Sequence, residues 1–290
     1  MDYHSDRFED LSLMVYKENS LVAVLPANKK ENAVHSHQGL TYGGLVLGTK
    51  TKLNETIFIF KSVMSFLSNE GIKTLHLKLT PSIYHKVPCD EMEYLLFISE
   101  ATLTRVDVSS VIENASKLKI QSNRIEGVKK AEKNALKIIE GTEFESFWTQ
   151  ILKPNLEQRH GAKPVHSLEE IERLAESFPK NIIQFNVYKE GEIVAGATLF
   201  ETDTVAHVQY ISANEEKQQL GSLDFLFEYL INRRFKDKKY FDFGISNENQ
   251  GMNLNKGLLY WKETFGARSI ACKFYTVATD NHTKLESVLL

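Results

Sequence analysis

The chain has 290 residues, 42% hydrophobic and 25% charged, with a formal net charge of −3 and a pI near 6.3. That is globular composition, long enough for one large domain or two ordinary ones, and its mild acidity excludes a dominant nucleic-acid or membrane-surface role while leaving room for a local basic patch. Two distant cysteines off any metal spacing, Cys89 and Cys272, and a start "MDYHSDRFED" without signal-peptide features point to a reducing, cytoplasmic setting; no apolar run approaches the ~18 residues of a membrane span.

In chain order, "LSLMVYKENSLVAVLPANKK" reads as two strands turning around Asn19, and "TYGGLVLG" as a third. "NETIFIFKSVMSFLSNEG" is a helix capped by Asn54 and stopped by Gly71, followed by the strand "KTLHLKLT", the helix "EMEYLLFISEA" and the strand "TLTRVDVSSVIE". The basic segment "SKLKIQSNRIEGVKKAEKNALK" follows as a seam. Beyond it, two helical segments lead to three strands, "NIIQFNVYKEG", "EIVAGATLFET" and "VAHVQYISAN". A helix from Ser222, the strand "KYFDFGIS", the helix "LNKGLLYWKETFG" and the strand "SIACKFYTV" complete the second half. Each half runs meander, helix, strand, helix, strand, the order of a structural duplication. The expected division is therefore 1–121, a linking segment 122–140, and 141–290.

Several residues invite chemistry. Strand alternation puts His207 and Gln209 on one face and Val208 and Tyr210 on the other. His207 is either a general base of suitable pKa or a satisfied histidine; Tyr210 is either a proton donor or packing. Asp242, set between two phenylalanines, has to be paired or functional, because a lone buried carboxylate is expensive. Ser246 and Asn247 follow at a strand's C-terminal end, where α/β sheets commonly bind ligands. The pair in "HSHQGL", His35 and His37, lacks further ligands at metal spacing, so no metal is expected; His37 and Tyr42 read better as the wall of an acceptor cleft. Arg124 and its neighbouring lysines are either a solvated helix face or a contact for phosphate or RNA.

The motifs "TYGGLV", "SNRIEGVKKAEK", "RHGAKPVHSLEEI", "HVQYISANEEKQQLGSLDFLF" and "FDFGISNENQGMNLNKGLLYWKETFGAR", in that order, resemble the Fem-like branch of the GNAT acyltransferase fold. The resemblance implies an α/β fold of two tandem GNAT-like mixed-sheet units sharing a central cleft. It implies acyl transfer to an amine, with acetyl-CoA or another acyl-CoA as donor. His207, Tyr210 and Asp242 would then be catalytic; Gln218, Gly221, Ser222, Asn253, Tyr260 and Lys262 would hold the donor; and His37, Tyr42, Arg124, Ser246 and Asn247 would hold the acceptor. In acyl-CoA-dependent members, Gln or Arg, two residues, Gly, one residue, then Gly or Ala surround the pyrophosphate. Gln218 and Gly221 fit that spacing, and Leu223 departs from it. The acceptor implied is a small or nucleotide-linked amine, such as an amino-sugar nucleotide in cell-surface polysaccharide synthesis, with no DNA partner. Two alternatives stand beside this: a Fem-type transferase using aminoacyl-tRNA on peptidoglycan precursors, and a GNAT-like binding module without turnover.

Overall fold

A computed structural model describes residues 6–289. Its first strands are short: β1 (Glu9–Asp10), β2 (Leu13–Lys17), β3 (Ser20–Leu25), β4 (Asn28–Lys30), β5 (Ala33–His35) and β6 (Val46–Leu47). The expected hairpin is β2–β3, turning through Glu18 at a φ of 55°. The glycines of "TYGGLV" extend no strand: only Val46–Leu47 pairs with β3, and Gly43 makes an isolated bridge to Leu79. Helix α1 (Leu53–Asn69) buries Ile57, Phe60, Met64 and Leu67 at helical spacing. It starts from Lys52 and not from Asn54, because the Glu55 side chain reaches back to the Lys52 amide. Next come β7 (Thr74–Lys78), α2 (Glu91–Ile98) and β8 (Thr102–Glu113), as the sequence pattern predicts.

The basic segment folds as α3 (Ser122–Lys133) and β9 (Lys137–Gly141). After α4 (Glu145–Phe147), a wider helical turn at Trp148–Leu152 runs into α5 (Lys153–His160), and α6 (Leu168–Ser177) begins with Ser167 accepting from the Glu170 amide. The meander is β10 (Ile182–Lys189), β11 (Glu192–Glu201) and β12 (Val205–Ala213). Then follow α7 (Lys217–Leu220), α8 (Ser222–Tyr229), β13 (Tyr240–Ile245), a small hairpin of β14 (Asn247–Glu248) and β15 (Asn253–Leu254), α9 (Lys256–Thr264) and β16 (Arg268–Ala278). Among the described residues no helix is long and apolar enough to cross a membrane.

Two compact units result, each mixed α/β. Unit 1 comprises the residues up to Asp107 together with those from Ala271 onward, and unit 2 is Val108–Ile270. This differs from the division at 122–140. Helix α3 buries Val128 and Ala131 in unit 2, so it is a structural element of that unit, and the end of the chain returns to unit 1 because β16 pairs with β7.

In unit 1 the strands run β1, β4, β5, β7, β16, with β5 and β7 parallel and the other pairs antiparallel. Val34, Leu75, Leu77 and Val277 turn to a core shared with α1 and α2. In unit 2 the order is β9, β10, β11, β12, β13, β8, and only β12–β13 is parallel. One face packs Phe185, Leu199, Val208 and Phe241 against α3, α8 and α9; the other packs Ile182, Phe200 and Tyr210 against the helical stretch from Phe144 to Ala175.

Candidate functional site

The site is built where β12 and β13 part. The two strands pair over three residue couples only, Val205 with Tyr240, Ala206 with Phe241 and His207 with Asp242. Beyond that point both are distorted. On β12, Leu199 of β11 faces Val208 and Thr198 faces Tyr210, leaving Gln209 as an extra, bulged residue. On β13, Gly244 has a φ of +76°, a left-handed conformation that L side chains rarely adopt.

The bulge corrects the expected strand faces. Simple alternation separates His207 from Tyr210. With Gln209 inserted, both share the face of Phe200 and Thr198, while Val208 lies in the opposite core. Asp242 completes that face, with Phe241 and Phe243 behind it.

Asp242 is fully buried, at 0% exposure, and its oxygens are engaged by neutral or basic donors. His207 Nδ1 lies 2.8 Å from Oδ2; Ser109 Oγ donates to Oδ1 at 2.5 Å and the Gly244 amide donates to it at 2.8 Å. Burial alone raises the carboxyl's pKa, but the His207 ring, the Ser109 hydroxyl and the Gly244 amide outweigh it and hold the group ionised, at about 2. A carboxylate at Nδ1 makes that nitrogen the proton donor, so in the neutral ring Nε2 is the basic one. Ser109 and Gly244 were not among the expected site residues. The glycine after "DF" was the visible cue, whereas Ser109 reaches Asp242 only through sheet pairing.

Lys262, on α9, is 2% exposed and donates to the Gly244 and Ile245 carbonyls at 2.9 and 2.7 Å. It therefore clamps the turn that aims Gly244 at Asp242. Burial pushes its pKa down to about 8, against a smaller upward pull from Asp242. Between about 8 and the unfolded value of 10.5 the unfolded chain holds the extra proton, so stability rises with pH across that window. Urea unfolding of the parent chain should gain on the order of 3 kcal/mol relative to Lys262→Met between pH 8 and pH 10.5. Parallel pH curves for the two proteins would show that Lys262 does not carry this burial penalty.

Tyr210 is tied into a second network. Its hydroxyl accepts from the His166 amide at 3.2 Å and lies 2.6 Å from His166 Nδ1, and its ring packs edge-on against Trp148 with centroids 4.7 Å apart. Burial raises its pKa. Trp148 Nε1 donates to Thr198 Oγ1, which donates to Gln184 Oε1, and Gln184 passes the chain on to Asn186. Thr198 and Gln184 are polar groups of this face that no motif singled out, and His166 lies in the motif "RHGAKPVHSLEEI" without having been given a role.

The other expected residues lie elsewhere. Gly221 starts α8 with its Cα against α3: a Cβ there would come 2.0 Å from the Gly127 carbonyl oxygen. Ser222 is 0% exposed, and its hydroxyl has no hydrogen-bond partner among the described residues. Arg124 donates to Asp224 at 2.8 Å across the same contact, so its guanidinium is held by α8. Gln218 is exposed, Asn253 lies in the β14–β15 hairpin bonded to Asn249, and Tyr260 is 56% exposed on α9. Ser246 is buried, and Asn247 accepts from the Val108 amide at 2.6 Å. His37 and Tyr42 belong to unit 1, where His37 turns through a φ of 54° to meet Phe8 edge-on and Tyr42 packs against Tyr84. Among the described residues no group of three or more His, Cys, Asp or Glu could hold a metal.

No family model matches this sequence, and no curated protein matches it. Solved structures do match the fold. FemX aligns over 96% of this chain and 90% of its own at TM-score 0.65 and 10% identity. The C-terminal domain of a candidate lysylphosphatidylglycerol synthetase from Agrobacterium fabrum aligns over 96% and 86% at 0.59 and 10%. A tandem GNAT protein from the clavulanic acid biosynthesis pathway aligns over 92% and 82% at 0.50 and 8%. At such identities the likeness concerns the fold, which is of the tandem GNAT-like, Fem-type kind.

Proposed function

We propose that the chain is an acyltransferase that moves an acyl group from an ester or thioester to an amine. The observation that carries this reading is the parting of β12 and β13 immediately beyond the His207–Asp242 couple. Two strands that separate leave unpaired backbone groups, which a donor's linker and carbonyl can use. Gln209 Oε1 and Ser246 Oγ, on either side of the parting, are buried without hydrogen-bond partners among the described residues, which supports a polar ligand there. His207, oriented by Asp242, takes the proton from the acceptor's ammonium. That proton passes to solvent, the neutral amine attacks the acyl carbonyl, the bond to the donor's sulfur or oxygen breaks, and the second proton lost by the attacking nitrogen reaches the leaving group through His207 or water.

Between the two donor classes, one observation favours an aminoacyl ester over acyl-CoA. A CoA diphosphate needs the start of α8, where Ser222 is buried and α3 already packs through Gly127 and Arg124. Fem-type folds include the aminoacyl-tRNA users named by the sequence resemblance, and the exposed lysines of α3 offer phosphate contacts. Titration calorimetry with acetyl-CoA and with charged tRNA separates the readings. Charged tRNA should bind and acetyl-CoA should give no heat; micromolar acetyl-CoA binding would restore the CoA reading and require α3 to move. Binding of either without acyl transfer to any amine would favour the binding module.

A further inference from the structure

The "HSH" motif is left over from the acyl-transfer chemistry, and the structure splits it. His37 turns inward, while His35 stands in register with His76 of β7 and Thr276 of β16 on the face of unit 1 opposite its core. The His35 and His76 rings stack with centroids 4.4 Å apart and planes 12° apart, and His76 Nδ1 lies 2.8 Å from Thr276 Oγ1. Two residues along β7 on the same face is Lys78, whose ammonium bonds to the Leu40 carbonyl and which stands in register with Phe274. Arg105 lies over the Phe274 ring at 4.8 Å. The row thus carries two imidazoles, an ammonium and a guanidinium.

The carboxylate beside this row, Asp107, is taken up by Arg105 through two hydrogen bonds of 2.9 and 2.6 Å. The groups that act on His35 besides burial are all basic: His76, Lys30 and Lys78. Burial lowers His76, and burial then Arg105 lower Lys78. Among the described residues the His35 ring makes no hydrogen bond. A half-buried lysine without a carboxylate partner, beside two histidines kept neutral, is a costly arrangement unless an anion completes it.

We propose that this face is a binding site for a phosphate ester, with His35, His76, Lys78 and Arg105 holding the oxygens of its phosphate or diphosphate. A phosphate presents several oxygens in three dimensions and suits donors arriving from adjacent strands, where a single carboxylate would leave most of them unused. Because a bound dianion favours the charged imidazoles, binding takes up protons and tightens as pH falls. Lys30, Lys78, Arg105 and Asp107 are the charged neighbours that set this balance.

The test is the histidine ring region of the NMR spectrum of the full chain during titration with inorganic pyrophosphate, UDP and short-chain phosphatidylglycerol. The His35 and His76 signals should shift saturably with at least one ester while His282 stays in place, and Lys78→Gln should weaken that binding at least tenfold with the thermal midpoint unchanged. Shifts with UDP point to a nucleotide-linked carrier, and shifts with the lipid alone to a lipid-linked one. Response to pyrophosphate but neither ester overturns the assignment of the ligand as a phosphate ester. Silence of both rings, or shifts indifferent to Lys78→Gln, overturns the site. Because the readout is binding, its failure leaves the acyl-transfer reading standing, and an absence of turnover leaves this site standing.

Discussion

Replacing Gly221 with valine is expected to destabilise unit 2 by several kcal/mol. The position has a φ of +67°, and a Cβ there would meet the Gly127 carbonyl oxygen at 2.0 Å and its carbon at 2.7 Å. Backbone atoms cannot swing away like the end of a side chain. Gly127 cannot yield in the other direction either, since its own Cβ position is 2.0 Å from Asp224 Oδ2. The two glycines are thus the near-contact points of an α3–α8 crossing, clasped by the Arg124–Asp224 pair. Left-handed strain in a β-branched residue costs about 1–3 kcal/mol and overpacking typically another 1–3, a large share of the ~5–15 kcal/mol that holds a domain together. The thermal midpoint by circular dichroism should fall by ten degrees or more, and Gly221→Ala by less. A valine variant melting within two degrees of the parent would show that α3 does not sit as closely on α8 as the structure has it. The same result would reopen the start of α8 to a diphosphate.

That crossing also marks the limit of what the sequence discloses. A glycine between a polar loop and an apolar helix looks the same whether it admits a phosphate or another backbone, and the difference lies in a segment almost a hundred residues away. The elements themselves were legible. Period-two runs mark β10 to β13 and β7, helical spacing marks α1, α2, α6 and α9, and the cost of an isolated carboxylate marks Asp242 as paired or functional without deciding which. Strands of two or three residues such as β1, β4 and β5 carry too few side chains to show a period. The bulge at Gln209 leaves no mark in composition, yet it moves Tyr210 to the other face. Ser109, which completes the Asp242 shell, and the return of β16 to unit 1 depend on pairing between distant segments, which local pattern does not encode.

Asp242→Asn should lower kcat by ~10²–10⁴-fold on the acyl-transfer reading, with donor and acceptor binding little changed. Were this carboxylate to hold the substrate's ammonium, the substitution would raise KM instead. Its complete burial and its three internal donors, His207, Ser109 and Gly244, argue for orienting the histidine. Asparagine fits the space but offers one acceptor and one donor group. If its oxygen stays with Ser109 and the Gly244 amide, its NH₂ faces His207 Nδ1 and forces the proton onto Nε2, so the ring can no longer accept one there. Nitrogen NMR of His207 reads this tautomer directly and needs no substrate. The acid side of the stability curve changes as well. Asp242 titrates below its ordinary value, so its contribution is present above about pH 4 and is lost as pH falls toward 2; the asparagine chain should lack that loss, on the order of 2 kcal/mol. His207→Gln is the better partner variant than alanine, because its amide can still donate to the buried carboxylate and spare the fold. An asparagine variant with the parent's tautomer and full turnover would remove the His207–Asp242 couple from the mechanism and leave it as a buried pair that fastens β12 to β13.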